Sequence, residues 1–199
     1  WPANEIDAFV AGAMLSHELH PAPRADRISL VRRAYLDVIG LPPTPEQVNA
    51  FLSDDRPDAW ERLVDSLLDS KAYGEHAARQ WLDLARYAES DGYRADEFRP
   101  HAYHYRDYVI DSFNDDKPYD RFIQEQLAAD ELFPDDLEAQ AGLTYLRHWV
   151  YEWNIRDART QWKTIMEDVT DTTADVFLGL GLQCAKCHNH KFDPLLQKD

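Results

Sequence analysis

Apolar side chains recur along most of the chain at the three- and four-residue spacing of an amphipathic helix. The clearest stripe lies within 57–68 and consists of Trp60, Leu63, Val64, Leu67 and Leu68. Weaker stripes of the same period predict further helices over 6–14, 28–38, 75–87, 103–113, 119–127 and 137–145, and a long one over about 160–180. The pattern therefore predicts a chain that is helical almost throughout.

Several helix boundaries carry their own signals. Gly40 is expected to end one helix, because glycine adopts the left-handed conformation that follows a helix C-terminus. Thr44, Pro45 and Gln47 form an N-cap, a first-turn proline and a capping-box partner for the next helix. Residues 90–100 are polar and predict a loop, and residues 149–157 predict an irregular segment.

Composition narrows the fold class. The 199 residues are 44% hydrophobic with six Trp, ten Tyr and eight Phe, which is enough to build a core. Only seven glycines are present, which argues against an architecture of strands and tight turns. We find no repeat, low-complexity tract or linker. The sequence predicts an all-α protein, with residues 1–199 forming a single irregular multi-helix domain that ends in a haem-attachment segment.

The charge excludes two classes of partner. Lys plus Arg number 21 and Asp plus Glu number 37, so the formal net charge is −16. A field of this sign repels phosphate backbones and anionic lipids, and we expect no nucleic-acid or membrane-surface role. No apolar run approaches the roughly 18–20 residues that span a bilayer. Because the sequence opens at Trp1, we expect it to be a piece of a longer protein.

Both cysteines of the chain lie in one motif, Cys184-Ala185-Lys186-Cys187-His188. This C-x-x-C-H spacing is the attachment signature of c-type haem. Two thiols on one turn can each form a thioether to a porphyrin vinyl group. The following imidazole can then bind the iron as its proximal ligand. The sequence predicts one covalent haem c, held by Cys184, Cys187 and His188.

Two other readings of the motif stay open. Cys184, Cys187, His188 and His190 are a possible zinc set, although four ligands within seven residues would crowd, because Cys₂His₂ sites usually draw their ligand pairs from separate elements. The two thiols are also a possible redox dithiol, although no strand–helix context of the thioredoxin type surrounds them. Haem attachment explains the cysteines and the histidine together.

The sequence around the motif resembles a known family. The segment CAKCHNHKFDP, preceded by DVFLGLGLQ, is similar to the cytochrome-type PSCyt domain of large extracytoplasmic proteins from planctomycetes and their relatives. The chain departs from that family at Asn189, where an acidic residue is usual. The resemblance implies haem c on the motif, export across the inner membrane, and further cytochrome-like or carbohydrate-associated modules. It extends over nearly the whole chain, through ADRISLVRRAYLDVIGLPPTPEQV, QWLDLARYAESDGYR and YRDYVIDSFNDDKPYDRFIQEQLAAD.

The sixth iron position decides between an electron carrier and an enzyme. His190 is too close in sequence, because two residues span at most about 7 Å and ligands on opposite sides of one iron need on the order of 12 Å. We expect it to hydrogen-bond a propionate or a backbone carbonyl. Met166 would lie about 21 Å back along a continuous helix, so we expect it, like Met14, to be a core residue. His148 and His104 rank first as distal ligands because aromatic neighbours surround them.

The leading hypothesis is a monohaem cytochrome domain that transfers electrons in the periplasm or another extracytoplasmic space, with a basic redox partner. The second is a peroxidase- or oxidase-like haem enzyme with an open distal site. The third is a structural haem module in a polysaccharide-associated protein. Asp168, Asp171 and Asp175 lie on the long predicted helix, and we expect them to form a solvated face rather than a cation site.

Overall fold

Helices make up nearly all the regular structure in the computed structural model, which describes residues 3–93, 95–152 and 156–198. Within these ranges no strand forms, and one isolated bridge joins Ser90 to Phe98. The all-α single-domain prediction is confirmed. The helices are α1 (Glu5–Ser16), α2 (Arg27–Ile39), α3 (Pro45–Leu52), α4 (Ala59–Leu68), α5 (Lys71–Leu84), α6 (Tyr103–Asn114), α7 (Tyr119–Leu132), α8 (Leu137–Gly142) and α9 (Ala158–Thr173).

Three short segments complete the description. A 3₁₀ segment, Leu143–Arg147, follows α8, a π-helical turn, Ala174–Leu178, follows α9, and a second 3₁₀ turn covers Leu182–Cys184. The described residues of 90–100 form the predicted loop, with residue 94 outside the described ranges, and the described part of 149–157 contains no helix. Residues 153–155 of that irregular segment lie outside the described ranges. No helix in the described part of the chain is long and apolar enough to cross a bilayer.

The predicted boundary signals are present. Gly40 adopts φ +72° at the end of α2, in the left-handed region. The Thr44 amide donates to the Gln47 side chain at 2.8 Å, and the Gln47 amide donates to the Thr44 hydroxyl at 3.3 Å, so the capping box of α3 is closed. These contacts satisfy amide groups that the first turn of a helix leaves without partners.

Helix α1 forms as its apolar spacing predicts, but the described residues do not bury its stripe. Ile6 and Phe9 are 74% and 81% exposed. Met14, expected in the core, is half-buried. Periodicity identifies an apolar helix face but carries no information about what covers that face.

The main core lies between α5, α6 and α7, around the indole of Trp81. Its Nε1–H donates to the side-chain oxygen of Gln126 at 2.9 Å, and the Tyr105 hydroxyl donates to the same oxygen at 2.6 Å. The rings of Phe122 and Phe177 pack against Trp81 with centroids 4.8 and 5.7 Å away. We call these five residues the Trp81 cluster. It joins three helices to the π-helical turn.

A second group of buried side chains joins α2, α3 and α4. Phe51 packs edge-on against Trp60 at 6.3 Å, and the Arg27 guanidinium lies 4.4 Å from the Phe51 ring centroid. The helical stripe of 57–68 contributes to this group, although Leu68 is 42% exposed. The buried members are Val31, Ala34, Tyr35, Phe51, Ala59 and Leu67.

One buried carboxylate supports the packing of α6 on α7. Glu125 is 2% exposed and accepts hydrogen bonds from Lys117 Nζ and the Tyr108 hydroxyl, each at 2.8 Å. Arg121 contacts its other oxygen. Burial raises the pKa of Glu125, but the hydrogen bonds from Lys117, Tyr108 and Arg121 outweigh it and hold that pKa below the usual value.

Two predicted boundaries are wrong. Helix α5 covers Lys71–Leu84 rather than 75–87, and Arg86 adopts φ +58°, which no helix continues through. The long last helix does not reach residue 180. Its α-helical part ends at Thr173, and the chain widens into the π-helical turn before Gly179.

The Glu125 contacts predict a large effect of a small change. We expect Glu125→Gln to lower the free energy of unfolding by about 3 kcal/mol, because it leaves the Lys117 ammonium without a buried counter-charge. Urea denaturation followed by circular dichroism measures this difference. Glu131→Gln, an exposed change on the same helix, is the matched control and should stay within about 0.5 kcal/mol of the parent. Equal effects of the two substitutions would contradict the assignment.

Candidate functional site

The cysteine motif lies on a segment that turns back over α9. Gly179 adopts φ +64°, a left-handed conformation that most side chains disfavour. The amide of Leu180 donates to the Ala174 carbonyl at 3.1 Å, which closes the turn. The chain therefore reverses immediately after the π-helical turn.

Two side-chain contacts fix the direction of the returning segment. Gln183 Nε2 donates to the Asp175 carboxylate at 3.2 Å, and the Lys186 ammonium pairs with Glu167. Glu167 and Asp175 are separated by eight residues, or about 12 Å of helix. The motif thus runs antiparallel to α9, from its C-terminal end toward its middle. Lys186 lowers the pKa of Glu167 by its hydrogen bond and charge.

Because the chain turns back along α9, Met166 lies closer to the motif than a straight helix predicts. The 21 Å separation assumes that the helix continues straight, whereas Lys186 contacts the residue next to Met166. Met166 is also 56% exposed, so its predicted place in the core is wrong. It nevertheless lies on a different face from the motif contacts, because successive helical residues are rotated by about 100°. The returning segment is contacted by Glu167, which pairs with Lys186, and by Asp175, which accepts from Gln183.

The expected solvated acidic face is only partly present. Asp168 pairs with Arg86, which ties α9 to the end of α5. Asp175 accepts the Gln183 amide, and burial raises the pKa of Asp171. The acidic side chains of α9 therefore hold other elements as well as facing solvent. Lys186, a cation within the motif, is the sequence feature that could have indicated a contact between the motif and these acids.

The two thiols are exposed and unpaired with one another. Cys184 ends the 3₁₀ turn, where the Ala185 amide donates to the Leu182 carbonyl at 2.8 Å. Cys187 follows three residues later within a continuing turn. Side chains three residues apart on such a turn share one side, because the 3₁₀ period is three residues. Both sulfurs are accessible to one reagent or cofactor.

His188 is exposed, and its ring is oriented by the backbone. Its Nδ1 lies 2.7 Å from the carbonyl oxygen of Asn189. A carbonyl only accepts, so Nδ1 is the donor in this contact. This is the arrangement of a metal-ligating histidine, in which a backbone contact selects the tautomer and leaves the other nitrogen free.

His190 holds the loop that follows. Its Nδ1 accepts hydrogen bonds from the amides of Asp193 at 2.9 Å and Phe192 at 3.3 Å, so that nitrogen carries no proton. The proximity of the Asp193 carboxylate, at 3.2 Å, is therefore not an ion pair. We expected this ring to bond a propionate or a backbone carbonyl. Instead, the observed partners are backbone donors within its own turn.

Two backbone-directed contacts close the loop over 189–197. The His190 amide donates to the Leu195 carbonyl at 2.9 Å. The Gln197 amide donates to Asn189 Oδ1 at 3.0 Å. Asn189 is the position at which the chain departs from the family that it resembles. Its side-chain oxygen accepts a hydrogen bond here, as a carboxylate oxygen would. The loop fixes the position of the carbonyl that orients His188.

Exposed apolar side chains flank the motif. Leu178 before it is 66% exposed and Phe192 after it is 83% exposed. None of the residues described over 182–198 is fully buried. Two exposed thiols, the adjacent His188 imidazole and exposed apolar side chains are the groups that would hold a porphyrin here. The residues present fit a covalent haem.

They do not fit a zinc site. In the described ranges no three or more His, Cys, Asp or Glu side chains are gathered so that they could hold a metal ion. The proposed set of Cys184, Cys187, His188 and His190 is therefore not assembled, and His190 Nδ1 is engaged by two amides. A haem iron needs only one ligand from this segment.

The two distal-ligand candidates lie together, away from the motif. His148 is 4% exposed, with its ring 4.6 Å from that of Tyr105. Burial, with the charges of the nearby Arg99, Arg86 and Arg147, lowers the pKa of His148 to about 3. His104 is exposed and its ring stacks on His101 at 6.1 Å. Either histidine as sixth ligand stays a prediction.

Both histidines line one cavity of about 730 Å³. Its described walls come from residues 91–104 and 137–148, so none belongs to the motif. Sequence reasoning missed Arg99 and Arg147, which also line it. No local signal identifies them, because the loop and the segment after α8 meet only in the folded chain.

Comparison with known proteins gives one match. The sequence profile of the family PSCyt2, described as "Protein of unknown function (DUF1549)", matches residues 5–199. No curated protein and no solved structure matches the chain.

The buried His148 predicts a pH-dependent stability. Its folded pKa of about 3 lies below the ordinary value of 6.5, so between these values the unfolded chain binds a proton that the folded chain does not. Stability is therefore lost as the pH falls below about 6.5, by up to about 1.4 kcal/mol per pH unit. We expect His148→Gln to remove this part of the slope. Urea denaturation at pH 7 and pH 5 measures it.

The exposed His17 gives the control for that measurement. His17→Gln should leave the pH dependence as it is in the parent, since its ring is in water in both states. A His148→Gln slope identical to the parent slope would show that His148 is not held neutral by burial.

The chain reversal predicts a strain effect at Gly179. A methyl group there meets no atom within 4 Å, so its effect comes from the φ of +64° alone. We expect Gly179→Ala to lower stability by about 1 kcal/mol. Gly12→Ala, within α1 and equally open, should not lower it. Thermal unfolding of both variants measures these effects. An unchanged midpoint for Gly179→Ala would contradict the left-handed conformation assigned to residue 179.

Proposed function

The chain belongs to the PSCyt2 family, and we propose that this domain carries one covalent haem c and transfers single electrons outside the cytoplasm. Cys184 and Cys187 would hold the porphyrin through thioethers, and His188 would bind the iron. Extracytoplasmic placement follows from the proposed cofactor and from the resemblance to exported proteins. The proposal includes further modules in a longer natural chain.

The orientation of His188 carries the proposal. An iron ligand binds through one ring nitrogen while the other donates its N–H to a backbone carbonyl or carboxylate, and the His188 ring is held in this way. The 2.7 Å contact to the Asn189 carbonyl holds the ring through Nδ1, so that Nε2 is the nitrogen left to bind iron. Donation of the Nδ1–H to an acceptor also raises the basicity of Nε2, which strengthens the ligand.

The remaining groups of the segment hold the motif in place. Lys186 and Gln183 attach it to α9, and the loop closed by His190 keeps the Asn189 carbonyl beside His188. Bound haem would supply one-electron chemistry between ferrous and ferric iron. The chain contributes attachment, the proximal nitrogen, and apolar contacts from Leu178 and Phe192.

Charge supports a basic redox partner. The chain carries a net charge of −16, and Glu167 and Asp171 on α9 and Asp175 just after it lie beside the segment that carries the motif. Glu167 pairs with Lys186, and Asp175 accepts from Gln183. Docking of a basic protein here would be weak, fast and sensitive to salt.

Expression with the c-type maturation machinery tests the attachment. We expect a pyridine haemochrome spectrum of the c type that survives acid–acetone extraction. Cys184→Ala and Cys187→Ala should each leave a haem that extraction weakens or releases. His188→Ala should keep the thioethers but change the ligand-field spectrum, while His17→Ala, far along the chain, should change neither.

The same material distinguishes carrier from enzyme. A low-spin, six-coordinate spectrum that cyanide does not alter supports electron transfer. A high-spin iron that binds cyanide would instead support the haem enzyme with an open distal site. Colourless protein, or tetrahedral zinc in the motif after correct maturation, would overturn the proposal altogether.

A further inference from the structure

The cavity of about 730 Å³ between residues 91–104 and 137–148 has features that the proposed electron transfer does not use. It is large enough for a small organic molecule. Its described lining combines cationic and imidazole groups with apolar side chains, and it lies apart from the cysteine motif.

Two arginines and one buried carboxylate form a charged group on the cavity lining. Arg99 Nε lies 2.6 Å from one carboxylate oxygen of Asp91, and Arg147 Nη2 lies 3.6 Å from the same oxygen. Two guanidinium groups thus share one carboxylate, and Arg147 keeps nearly half of its side chain exposed. The group of Asp91, Arg99 and Arg147 thus carries one more positive than negative charge. Glu97 lines the cavity from an exposed position.

His148 adds a buried polar atom. Among the residues that the structure describes, its Nε2 has no hydrogen-bond partner, and the residue is 4% exposed. A buried polar atom left without a partner is destabilising. Because the ring is neutral, one of its tautomers offers an Nε2–H donor to an acceptor in the cavity.

Apolar groups line the rest of the cavity. Phe98 and Leu137 are 69% and 85% exposed, although side chains of this size are usually covered. The stacked rings of His101 and His104 lie on the same lining. Such a surface is suited to the non-polar body of a ligand whose charged end reaches the arginines.

We propose that this cavity is a binding site for small organic carboxylates. The carboxylate would accept hydrogen bonds from Arg147 and from His148 Nε2, and the ring or chain of the ligand would pack against Phe98 and Leu137. Charge-assisted bonds to a guanidinium are the strongest available to a carboxylate. A neutral ligand of the same shape would make no charge-assisted bond to Arg147.

Titration with sodium benzoate, followed by ¹⁵N-edited NMR on the full chain, tests this proposal. Benzoate has the carboxylate and an apolar ring, benzamide has the same shape without the charge, and acetate lacks the ring. We expect saturable benzoate binding with a dissociation constant near 1 mM or below, which is about −4 kcal/mol. Benzamide and acetate should each bind at least about tenfold more weakly.

Two variants and one control assign the binding to this cavity. Arg147→Gln and His148→Phe should each weaken benzoate binding by about tenfold or more. Arg33→Gln, an exposed arginine on α2, removes the same charge elsewhere and should leave it unchanged. If His148→Phe does not fold, Arg147→Gln alone decides.

Three results would overturn the proposal. These are benzoate that does not saturate by about 10 mM, benzoate and benzamide that bind equally, or an Arg33→Gln effect as large as that of Arg147→Gln. The titration follows the amide signals of residues 91–148. Its result therefore does not depend on whether haem is attached at the motif.

Discussion

The buried Trp81 cluster is the contact on which the arrangement of this protein depends. Hydrogen bonds from Trp81 and Tyr105 converge on one Gln126 oxygen, so three helices share a polar atom that is fully buried. Removing any partner would leave the others unsatisfied in the core. Phe177 packs on the same indole, so the cluster also fixes the π-helical turn. The place where the chain reverses toward the motif is therefore set by side chains about 50 to 100 residues earlier.

Local chemistry predicted much of the fold. Capping at Thr44, the glycine stop at Gly40 and the apolar stripe of α4 all appear as expected, because each depends on neighbours within a few residues. The errors have a common cause. Periodicity could not show that α1 lacks a cover among the described residues, that α9 widens after Thr173, or that Met166 is exposed. Those properties depend on surfaces brought from elsewhere in the chain.

The candidate site likewise has features that the sequence predicts and features that only the fold reveals. Cys184, Cys187 and His188 are recognisable from their spacing, since five consecutive residues provide the whole attachment chemistry. The contact that selects the His188 tautomer is also local, but it depends on a carbonyl orientation that no spacing encodes. The pairing of Lys186 with Glu167 and the meeting of Arg147 with Arg99 need the tertiary fold. Sequence therefore identified the reactive atoms and missed the groups that hold them.

The peripheral position of residues 182–198 has a consequence for biogenesis. No side chain described in this stretch is fully buried, and its anchors are two polar contacts to α9 and a self-closed loop. If this segment takes haem as proposed, it stays accessible to an attaching enzyme after the helical bundle has folded. Attachment of the cofactor would then be a late step that leaves the Trp81 cluster undisturbed.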